Sequence, residues 1–401
     1  MNFLLKKVKK IIKKILKYLI VSLFFPFYLL IKLMEPFLLF RLYLVDPSRL
    51  GLMLQVDFCM KEKILQKKKI YVDIFVFHEQ SVKHLNEQWI KMWTRVISFT
   101  KFPKFWNKII LILRYYPFSK KNLIGYSSKI DDLPEASKLN KVNIKFTEEE
   151  NNLGISNLKK IGLSQNDKFV CFHSRDEAFL KSFSPNRNWG YHDFRNSDIQ
   201  NYLKAVNFLT KNNLFAFRMG TKVEKELQTN NPKIIDFHKS KIKSDFMDIY
   251  LGSRCFFYIS SESGISTIPE VFQRPILYVN IPSLRGMQVF ANNSLIILKK
   301  LYDCKKDKLL SFKEHSELIA GNYSHSSEYF KKKNIKILDN TPEEIYEATE
   351  EMYKRLTGQW KTNKEDQELQ NAFWKIINPV VKSETFYIGA NYLRKYKDLL
   401  N

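Results

Sequence analysis

The chain lacks several motifs that carry chemistry in other α/β proteins. It contains no Gly-x-x-x-x-Gly-Lys-Ser/Thr loop, no Gly-x-Gly-x-x-Gly turn and no Gly-x-Ser-x-Gly elbow. These motifs place glycines where the backbone must approach a phosphate or where a nucleophile must stand exposed. The sequence therefore gives no support for four classes of protein: P-loop nucleotidases, kinases, dehydrogenases with the dinucleotide fingerprint and α/β-hydrolases. Glycine is scarce throughout, at 12 of 401 residues.

Cysteine and acidic residues are also few. Four widely spaced cysteines provide neither a disulfide framework nor a cysteine metal site, and they fit buried thiols in a reducing, cytosolic compartment. Lysine and arginine total 66 against 41 acidic residues, which gives a net charge of +25. Such an excess suits nucleic acid, a membrane surface or anionic substrates. No zinc-knuckle, RNA-recognition or helix-turn-helix signature is present, so nucleic acid is disfavoured.

Residues 1–40 differ in composition from the rest. Seven lysines between Lys6 and Lys17 alternate with apolar residues spaced by three and four, which predicts a cationic amphipathic helix. The run Tyr18–Ile31 holds 14 uncharged residues, fewer than the ~20 that cross a bilayer core, and we expect Pro26 to break it. We therefore expect a peripheral or monotopic anchor on anionic lipid at the cytoplasmic face of the inner membrane. A tilted single span is the alternative.

After this segment, short apolar runs alternate with helical patterns, which predicts an α/β fold with parallel sheets. A polar stretch at 140–152 predicts the boundary between an N-terminal domain, residues 41–153, and a second domain, residues 154–345. We expect residues 346–401 to form helices that pack back on the N-terminal domain.

The stretch Cys255–Asn280 organises the second domain. It predicts a buried strand, a polar turn at Ser261–Gly264, a helix over 265–272 and a second buried strand, which is a βαβ unit. Ligands of open α/β sheets bind beyond the carboxyl ends of the strands, where a helix N-terminus attracts phosphate. Glu262 and Glu270 are candidates to accept bonds from ribose or sugar hydroxyls. The alternative is a capped helix with two solvated glutamates.

Two further predicted strands end in charged residues. One ends in His173, followed by Arg175 and Asp176, and the next ends in Arg218 and Gly220. Carboxyl ends of parallel strands meet at one edge of a sheet, and arginines there can hold a diphosphate leaving group without a metal. Taken singly, His173 could be a core histidine and Arg218 a surface ion pair. The candidate binding residues are Arg175, His192, Arg195, Arg218, Gly220, Ser261, Glu262, Ser263, Gly264 and Glu270.

Five segments resemble glycosyltransferases encoded in bacterial surface-polysaccharide clusters. They are, in chain order, FVCFHSRDEAF, YHDFRNSDIQNY, FAFRMG, DFMDIYLGSRCFFYISSESG and PILYVN, and YHDFRNSDI is the most specific. His173-Ser-Arg175 together with Ser260–Ser263 is also similar to the donor-phosphate motifs of fucosyltransferase-like enzymes. The resemblance implies a GT-B fold, in which two Rossmann-like domains face a cleft. It also implies a nucleotide-sugar donor in the C-terminal domain, with Arg175 on its diphosphate, and an acceptor in the N-terminal domain.

The sequence departs from that pattern in two places. The Glu262/Glu270 spacing resembles the paired glutamates of retaining GT-B enzymes, but the flanking Gly-Phe-Gly is missing. The N-terminal glycine turn is kept only in part, as Ser48-Arg-Leu-Gly51.

These features predict a membrane-associated glycosyltransferase that moves a sugar from a nucleotide sugar to a lipid-linked, lipopolysaccharide or capsule glycan acceptor. The chain has no Asp-x-Asp, so we expect transfer without a metal or a further cofactor. The base that activates the acceptor is expected in the N-terminal domain, from His78 or Glu79 ahead of Asp57, with His173 or Asp176 next. The alternatives are a nucleotide-sugar epimerase of the same fold and a non-catalytic membrane-surface binding protein.

Overall fold

The computed structural model describes residues 2–45, 50–65, 70–77, 86–116, 122–124, 139, 141–183, 185–284, 291–319, 326–377 and 386–401. The chain divides into two compact units. Unit 1 comprises residues 1–85 and 93–139, and unit 2 comprises residues 86–92 and 140–401. Both units contain alternating strands and helices around parallel pairings, which agrees with the predicted α/β class.

Unit 1 contains a parallel sheet of three described strands in the order β2-β1-β3. The strands are β1 (Leu38–Val45), β2 (Ile70–Phe77) and β3 (Leu123–Ile124). The helices are α1 (Asn2–Met34), α2 (Met53–Leu65), α3 (Glu87–Thr94), whose first residues belong to unit 2, and α4 (Pro103–Leu113).

A buried arginine ties α2 to this sheet. Arg41 on β1 donates to both carboxylate oxygens of Asp73 on β2, at 2.6 and 3.0 Å, and to Glu62 on α2 at 3.2 Å. A charge taken out of water is tolerated only with such partners. The network therefore fixes how α2 packs against β1 and β2.

Unit 2 is built on a seven-stranded sheet in the order β13-β9-β8-β7-β4-β5-β6, with every neighbouring pair parallel. A smaller antiparallel sheet, in the order β11-β10-β12, lies in the same unit. The strands are β4 (Phe169–His173), β5 (Phe215–Arg218), β6 (Ile234–Asp236), β7 (Tyr258–Ser260), β8 (Ile276–Ile281), β9 (Ser294–Leu298), β10 (Lys300–Asp303), β11 (Lys308–Leu309), β12 (Ile335–Leu338) and β13 (Phe386–Ile388).

The helices of unit 2 cover its large sheet and complete its core. They are α5 (Glu148–Lys160), α6 (Ala178–Phe183), α7 (Leu203–Lys211), α8 (Asp245–Arg254), α9 (Thr267–Val271), α10 (Phe312–Ile319), α11 (Ser327–Lys332), α12 (Pro342–Leu356), α13 (Lys364–Ile376) and α14 (Ala390–Lys395). The central strands β7, β8 and β9 are buried along their whole length, which explains why most of their residues are apolar without alternation.

The order of the strands reverses at β4. From β4 the chain proceeds to β5 and β6 on one side, then returns to the other side and adds β7, β8 and β9. β4 and β7 are therefore adjacent, and His173 pairs with Ser260 at their carboxyl ends. This is the Rossmann-like arrangement, in which such a reversal opens a crevice that binds ligands.

The two units divide between residues 139 and 140, at the start of the stretch expected to be the boundary, and two further features were not predicted. The stretch 140–152 contains the start of α5, because Thr147 forms a capping box with Glu150. Residues 346–401, expected on the N-terminal domain, belong to unit 2. Within them β13 extends the large sheet by pairing with β9, and α12, which carries the segment's first residues, packs against α7.

Residues 2–34 form one helix, and Pro26 lies inside it without ending it. Proline removes one backbone donor, but the other turns of this 33-residue helix keep their bonds, so the predicted break does not occur. Tyr28 and Ile31 are buried, and the Tyr28 ring stacks on Tyr116 with centroids 4.7 Å apart. In the described part of the chain, no helix combines the length and apolarity needed for a membrane span.

Gly154 on α5 yields a test of the packing in unit 2. A Cβ at this position would lie 2.2 Å from ring atoms of Tyr250 on α8. We expect Gly154→Ala to lower the free energy of unfolding by about 1–3 kcal/mol, because the ring must move. Ser156→Ala, at an exposed position of the same helix, is the control and should be neutral. Denaturant unfolding measures both, and equal stability of Gly154→Ala and the parent protein would contradict this packing.

Candidate active site

The predicted strand-end residues do come together at one edge of the large sheet. In register, Phe172 pairs with Arg218 and His173 pairs with Ser260. Ser261 follows β7 directly, and Arg175 lies two residues beyond β4. The candidate site is therefore located where the strand order reverses, beside the carboxyl ends of β4, β5 and β7.

Two hydrogen bonds join the ends of β4 and β7. The backbone N–H of Arg175 donates to the Ser261 hydroxyl at 2.7 Å, and the Ser261 N–H donates to the His173 carbonyl at 3.3 Å. Ser261 is fully buried. Its hydroxyl thus accepts from the main chain of Arg175 and positions it.

The Arg175 side chain is buried at 8% exposure, and its donors go to uncharged acceptors. Nη1 donates to the His192 carbonyl at 3.2 Å and to the Asn196 amide oxygen. Burial and the neighbouring charge of Arg195 lower the pKa of Arg175 to about 10. The guanidinium stays charged at neutral pH and lies in a setting that favours an anion.

The other cations at this edge have carboxylate partners. Arg195 pairs with Glu262 at 3.3 Å, Arg218 with Asp236 at 3.1 Å, and Lys299 with Asp339 at 2.8 Å. Within the ranges the structure describes, no carboxylate lies within 4.0 Å of the Arg175 guanidinium. Arg175 is therefore a buried cation whose charge remains available to a ligand, and Glu262, Asp193 and Asp176 act on it only from beyond 4.0 Å.

These pairs revise two sequence predictions. Arg218 was expected on a diphosphate, yet it is buried and held by Asp236 on the neighbouring strand β6. Glu262 was expected to accept bonds from sugar hydroxyls, and it is engaged by Arg195, although its side chain keeps 38% exposure. A ligand would have to share these two residues with their protein partners.

His173 is neutral in this setting. Its Nδ1 lies 3.2 Å from the Ser263 hydroxyl. Burial, together with the charges of Arg218 and Arg175, lowers its pKa to about 3. A neutral imidazole offers one donor and one acceptor, so His173 can hydrogen bond to a ligand but carries no charge to it.

An aromatic turn lies next to Arg175. Trp189, Tyr191 and His192 stack on one another, and the Arg187 guanidinium lies 4.5 Å from the Trp189 ring centre. Burial and Arg175 lower the pKa of His192 to about 4, and its buried Nδ1 has no partner among the described residues. Trp189 is buried and lies against Arg187, so the partly exposed Tyr191 is the ring better placed to contact a nucleobase or a sugar.

The remaining candidates have structural roles in the described contacts. Asp176 accepts from the backbone N–H groups of Ala178 and Glu224, both at 3.0 Å. Glu270 is buried and accepts from the Tyr278 hydroxyl on β8, so it does not line the strand ends. Gly220 has φ +148°, a backbone conformation that favours glycine in the turn after β5.

The helix predicted over 265–272 is found over Gly264–Val271. It begins as a single 3₁₀ turn, Gly264–Ser266, and continues as α9, Thr267–Val271. Because the α-helical part has only five residues, its dipole at the strand end is weak. The positive charge at this edge comes instead from side chains, and above all from Arg175.

Three residues of unit 1 were expected to supply the base that activates the acceptor: His78, Glu79 and Asp57. His78 and Glu79 lie outside the described residues. Asp57 is fully buried in α2 and forms an ion pair with Lys61 at 2.9 Å. A carboxylate enclosed in this way is a poor proton acceptor for a substrate hydroxyl. In the described residues, no group of three or more His, Cys, Asp or Glu side chains is arranged to hold a metal.

Two residues of the site were missed from the sequence. Lys299 directly follows β9, and the strand-end rule that selected His173 and Arg218 would have found it. Asn196 lies two residues before Asp198, which caps the 3₁₀ turn Ile199–Tyr202 that precedes α7. Asn196 bonds to Arg175 instead, and no local pattern signals that contact.

Comparison with known proteins finds only distant structural similarity. No family model and no curated protein matches the chain. One similar solved structure is a family 9 glycosyl transferase from Veillonella parvula, with 10% identity and a TM-score of 0.36 over 64% of this chain and 85% of the other. A second is ADP-heptose LPS heptosyltransferase II from E. coli, with 10% identity and a TM-score of 0.37 over 80% of this chain and 99% of the other. A third is E. coli heptosyltransferase WaaC with ADP, with 11% identity and a TM-score of 0.33 over 64% of this chain and 93% of the other. All three are glycosyltransferases, the class that the sequence resembles. Because the TM-scores are low, the function has to be argued from the site.

The low pKa of His173 predicts a pH dependence of stability. The unfolded chain binds a proton near pH 6.5 and the folded chain only near pH 3, so stability is lost as the pH falls between these values. The contribution is at most about 1.4 kcal/mol per pH unit. We expect His173→Gln to flatten the loss of unfolding free energy between pH 6.5 and 4. An unchanged slope, or an imidazole signal assigned to His173 that titrates between pH 5 and 8, would contradict the neutral state.

Proposed function

We propose that the chain is a GT-B glycosyltransferase that holds the diphosphate of a nucleotide-sugar donor at the carboxyl edge of the unit 2 sheet. One observation carries the proposal. Arg175 is buried where the strand order reverses and has no carboxylate within 4.0 Å in the described residues, whereas Arg195, Arg218 and Lys299 each have one. A buried guanidinium without an anion is costly, and a diphosphate would satisfy it.

The chemistry of sugar transfer fits this charge. When the bond between the anomeric carbon and the donor phosphate breaks, negative charge builds up on the departing nucleoside diphosphate. A fixed cation that contacts those oxygens stabilises the transition state without rearranging, which is the effective form of electrostatic catalysis. Arg175 supplies this charge from a fixed position, because its main chain is tied to Ser261. We therefore propose transfer that does not require a divalent cation.

The neighbouring residues supply the rest of a donor site. The Tyr191 ring, which is partly exposed, offers an aromatic group to a base or a sugar. His173 offers a neutral hydrogen-bonding group, and the Glu262 carboxylate, partly exposed, can accept from a hydroxyl. We propose that unit 1, with its own parallel sheet, binds the acceptor glycan, and that His78 or Glu79 provides the base.

Association with a membrane is the second part of the proposal. One stripe of α1, spaced by three and four residues, is exposed and apolar along the helix: Ile12, Leu16, Leu19, Leu23, Phe27, Leu30 and Met34. Tyr28 and Ile31, which lie outside this stripe, are buried in unit 1. Exposed apolar stripes of this length mark an interaction surface, and the seven lysines early in α1 suit anionic lipid. We propose that α1 lies on the cytoplasmic face of the inner membrane, where lipid-linked acceptors are found.

Two alternative functions can be distinguished from glycosyl transfer by what they release or bind. An epimerase of the same fold would change the sugar of the nucleotide sugar without releasing nucleoside diphosphate. A non-catalytic membrane-surface protein would bind vesicles but no nucleotide. Release of nucleoside diphosphate that depends on added acceptor favours transfer over both.

The donor site is tested by substitution of Arg175. We expect Arg175→Ala and Arg175→Lys each to weaken nucleoside-diphosphate binding by about ten- to a hundredfold, since lysine keeps the charge but loses the paired donors. Arg218→Lys is the matched control. It should affect binding much less, because Asp236 already holds that guanidinium. Isothermal titration in EDTA with ADP and UDP measures all four proteins. Binding by Arg175→Ala that equals the parent's would remove the proposed site.

The α1 surface is tested on the full chain. We expect a variant with Leu16, Leu19 and Leu23 each changed to glutamine to lose most of its flotation with vesicles containing anionic lipid, because these side chains are the most exposed part of the stripe. A control variant changes Leu153 and Phe179, exposed apolar residues of unit 2, to glutamine and should float like the parent. Equal flotation of all three proteins would exclude α1 as the membrane contact.

A further inference from the structure

Asn196 forms the closest described contact with the Arg175 guanidinium. Its side-chain oxygen accepts from Nη1, the same nitrogen that donates to the His192 carbonyl. Both acceptors are neutral. At the same edge Arg195, Arg218 and Lys299 are each met by a carboxylate. Asn196 therefore occupies the place that a carboxylate would take if Arg175 were a structural ion pair.

The amide of Asn196 is held in this orientation by its other contacts. Nδ2 donates to an oxygen of the Asp193 carboxylate at 3.2 Å, which directs the carbonyl oxygen toward Arg175. The Asn196 backbone N–H donates to the Asp193 carbonyl at 2.9 Å. Its backbone carbonyl accepts from the buried ammonium of Lys299 at 2.6 Å. Three elements thus fix the residue: the strand end after β9, the 3₁₀ turn Gly190–Arg195 and the loop after β4.

The same contacts form a chain of hydrogen bonds from the Arg175 guanidinium through the Asn196 amide to the Asp193 carboxylate. Arg175 bonds to the neutral amide, and the amide bonds to Asp193, so the nearest carboxylate in this chain of bonds is separated from the guanidinium by one side chain. If asparagine and aspartate exchanged places, the hydrogen bond between the two positions could still form, but the negative charge would lie directly on Arg175. The interaction of unit charges falls with distance, so a carboxylate at position 196 would act on the guanidinium more strongly than one at position 193.

We propose that Asn196 is a positioning residue that holds Arg175 with an uncharged acceptor, so that the guanidinium charge is left for the diphosphate of the donor. This inference rests on the proposed function, since it concerns the same site. It identifies the side chain that prevents Arg175 from becoming another internal ion pair. It also explains why Asp193 is close to Arg175 without neutralising it.

The deciding experiment exchanges the two side chains. The variant D193N/N196D keeps the net charge, the atom count of both side chains and a hydrogen bond between them, and it moves the carboxylate onto Arg175. We expect its affinity for inorganic pyrophosphate, ADP and UDP to fall by about tenfold or more, because Arg175 then has an internal anion. Isothermal titration at low and high salt measures this. The parent affinity should fall steeply with salt, and that of the exchange variant only slightly.

Two further measurements separate charge from geometry. Asn196→Ala removes the acceptor without adding charge and should weaken binding less than N196D does. Adenosine and uridine carry no phosphate, so their binding should be the same in the parent, N196A and the exchange variant. A merely structural role of Asn196 would weaken nucleoside and diphosphate binding together. If circular dichroism shows the exchange variant to be unfolded, the comparison of N196D with N196A decides the same question.

The outcomes distinguish this inference from the proposed function. Diphosphate affinity of the exchange variant within about twofold of the parent's, or a parent protein that binds no diphosphate, overturns the role of Asn196. Diphosphate binding that behaves as expected, with no acceptor-dependent release from any nucleotide sugar, leaves Asn196 in this role and rejects glycosyl transfer.

Discussion

The hydrogen bond from the Arg175 backbone to the Ser261 hydroxyl is the contact on which the site depends. It joins the ends of β4 and β7, the two strands between which the chain reverses its direction across the sheet. Because Ser261 is fully buried, this bond competes with no water and holds the main chain of Arg175 in one place. The aromatic turn and Asn196 then position the side chain. A rigid scaffold thus presents a cation at the point where open parallel sheets bind their ligands.

The distribution of charge at this edge distinguishes structure from function. Pairing a buried cation with a carboxylate offsets the cost of removing it from water, and Arg218 and Lys299 are treated in this way. Arg175 has only neutral acceptors, so the cost of removing its charge from water is not offset by an ion pair. A local loss of stability of this kind is typical of functional sites, where the rest of the fold compensates for it. The large apolar core of unit 2, with β7, β8 and β9 buried on both faces, can support this cost.

Unit 1 shows a related contrast between its interior and α1. Its buried arginine, Arg41, is matched by Asp73 and Glu62, so no charge there is left for a ligand. The helix α1 has the opposite property, because one side packs through Tyr28 and Ile31 while the other exposes a long apolar stripe. A helix that contributes to a core on one side and exposes apolar residues on the other is suited to a second contact in addition to the fold.

The sequence by itself determined the alternation of strands and helices, the strand ends that carry His173, Arg175 and Arg218, and the cationic character of α1. These features are local, since they depend on apolar periodicity and on residues next to one another in the chain. Tertiary structure alone decided which of the two buried arginines at the site has no carboxylate partner. Asp236 lies 18 residues from Arg218 and Asn196 lies 21 residues from Arg175, so these partners are chosen by the pairing of distant strands and loops. For the same reason residues 346–401 joined unit 2, because β13 found its partner in β9.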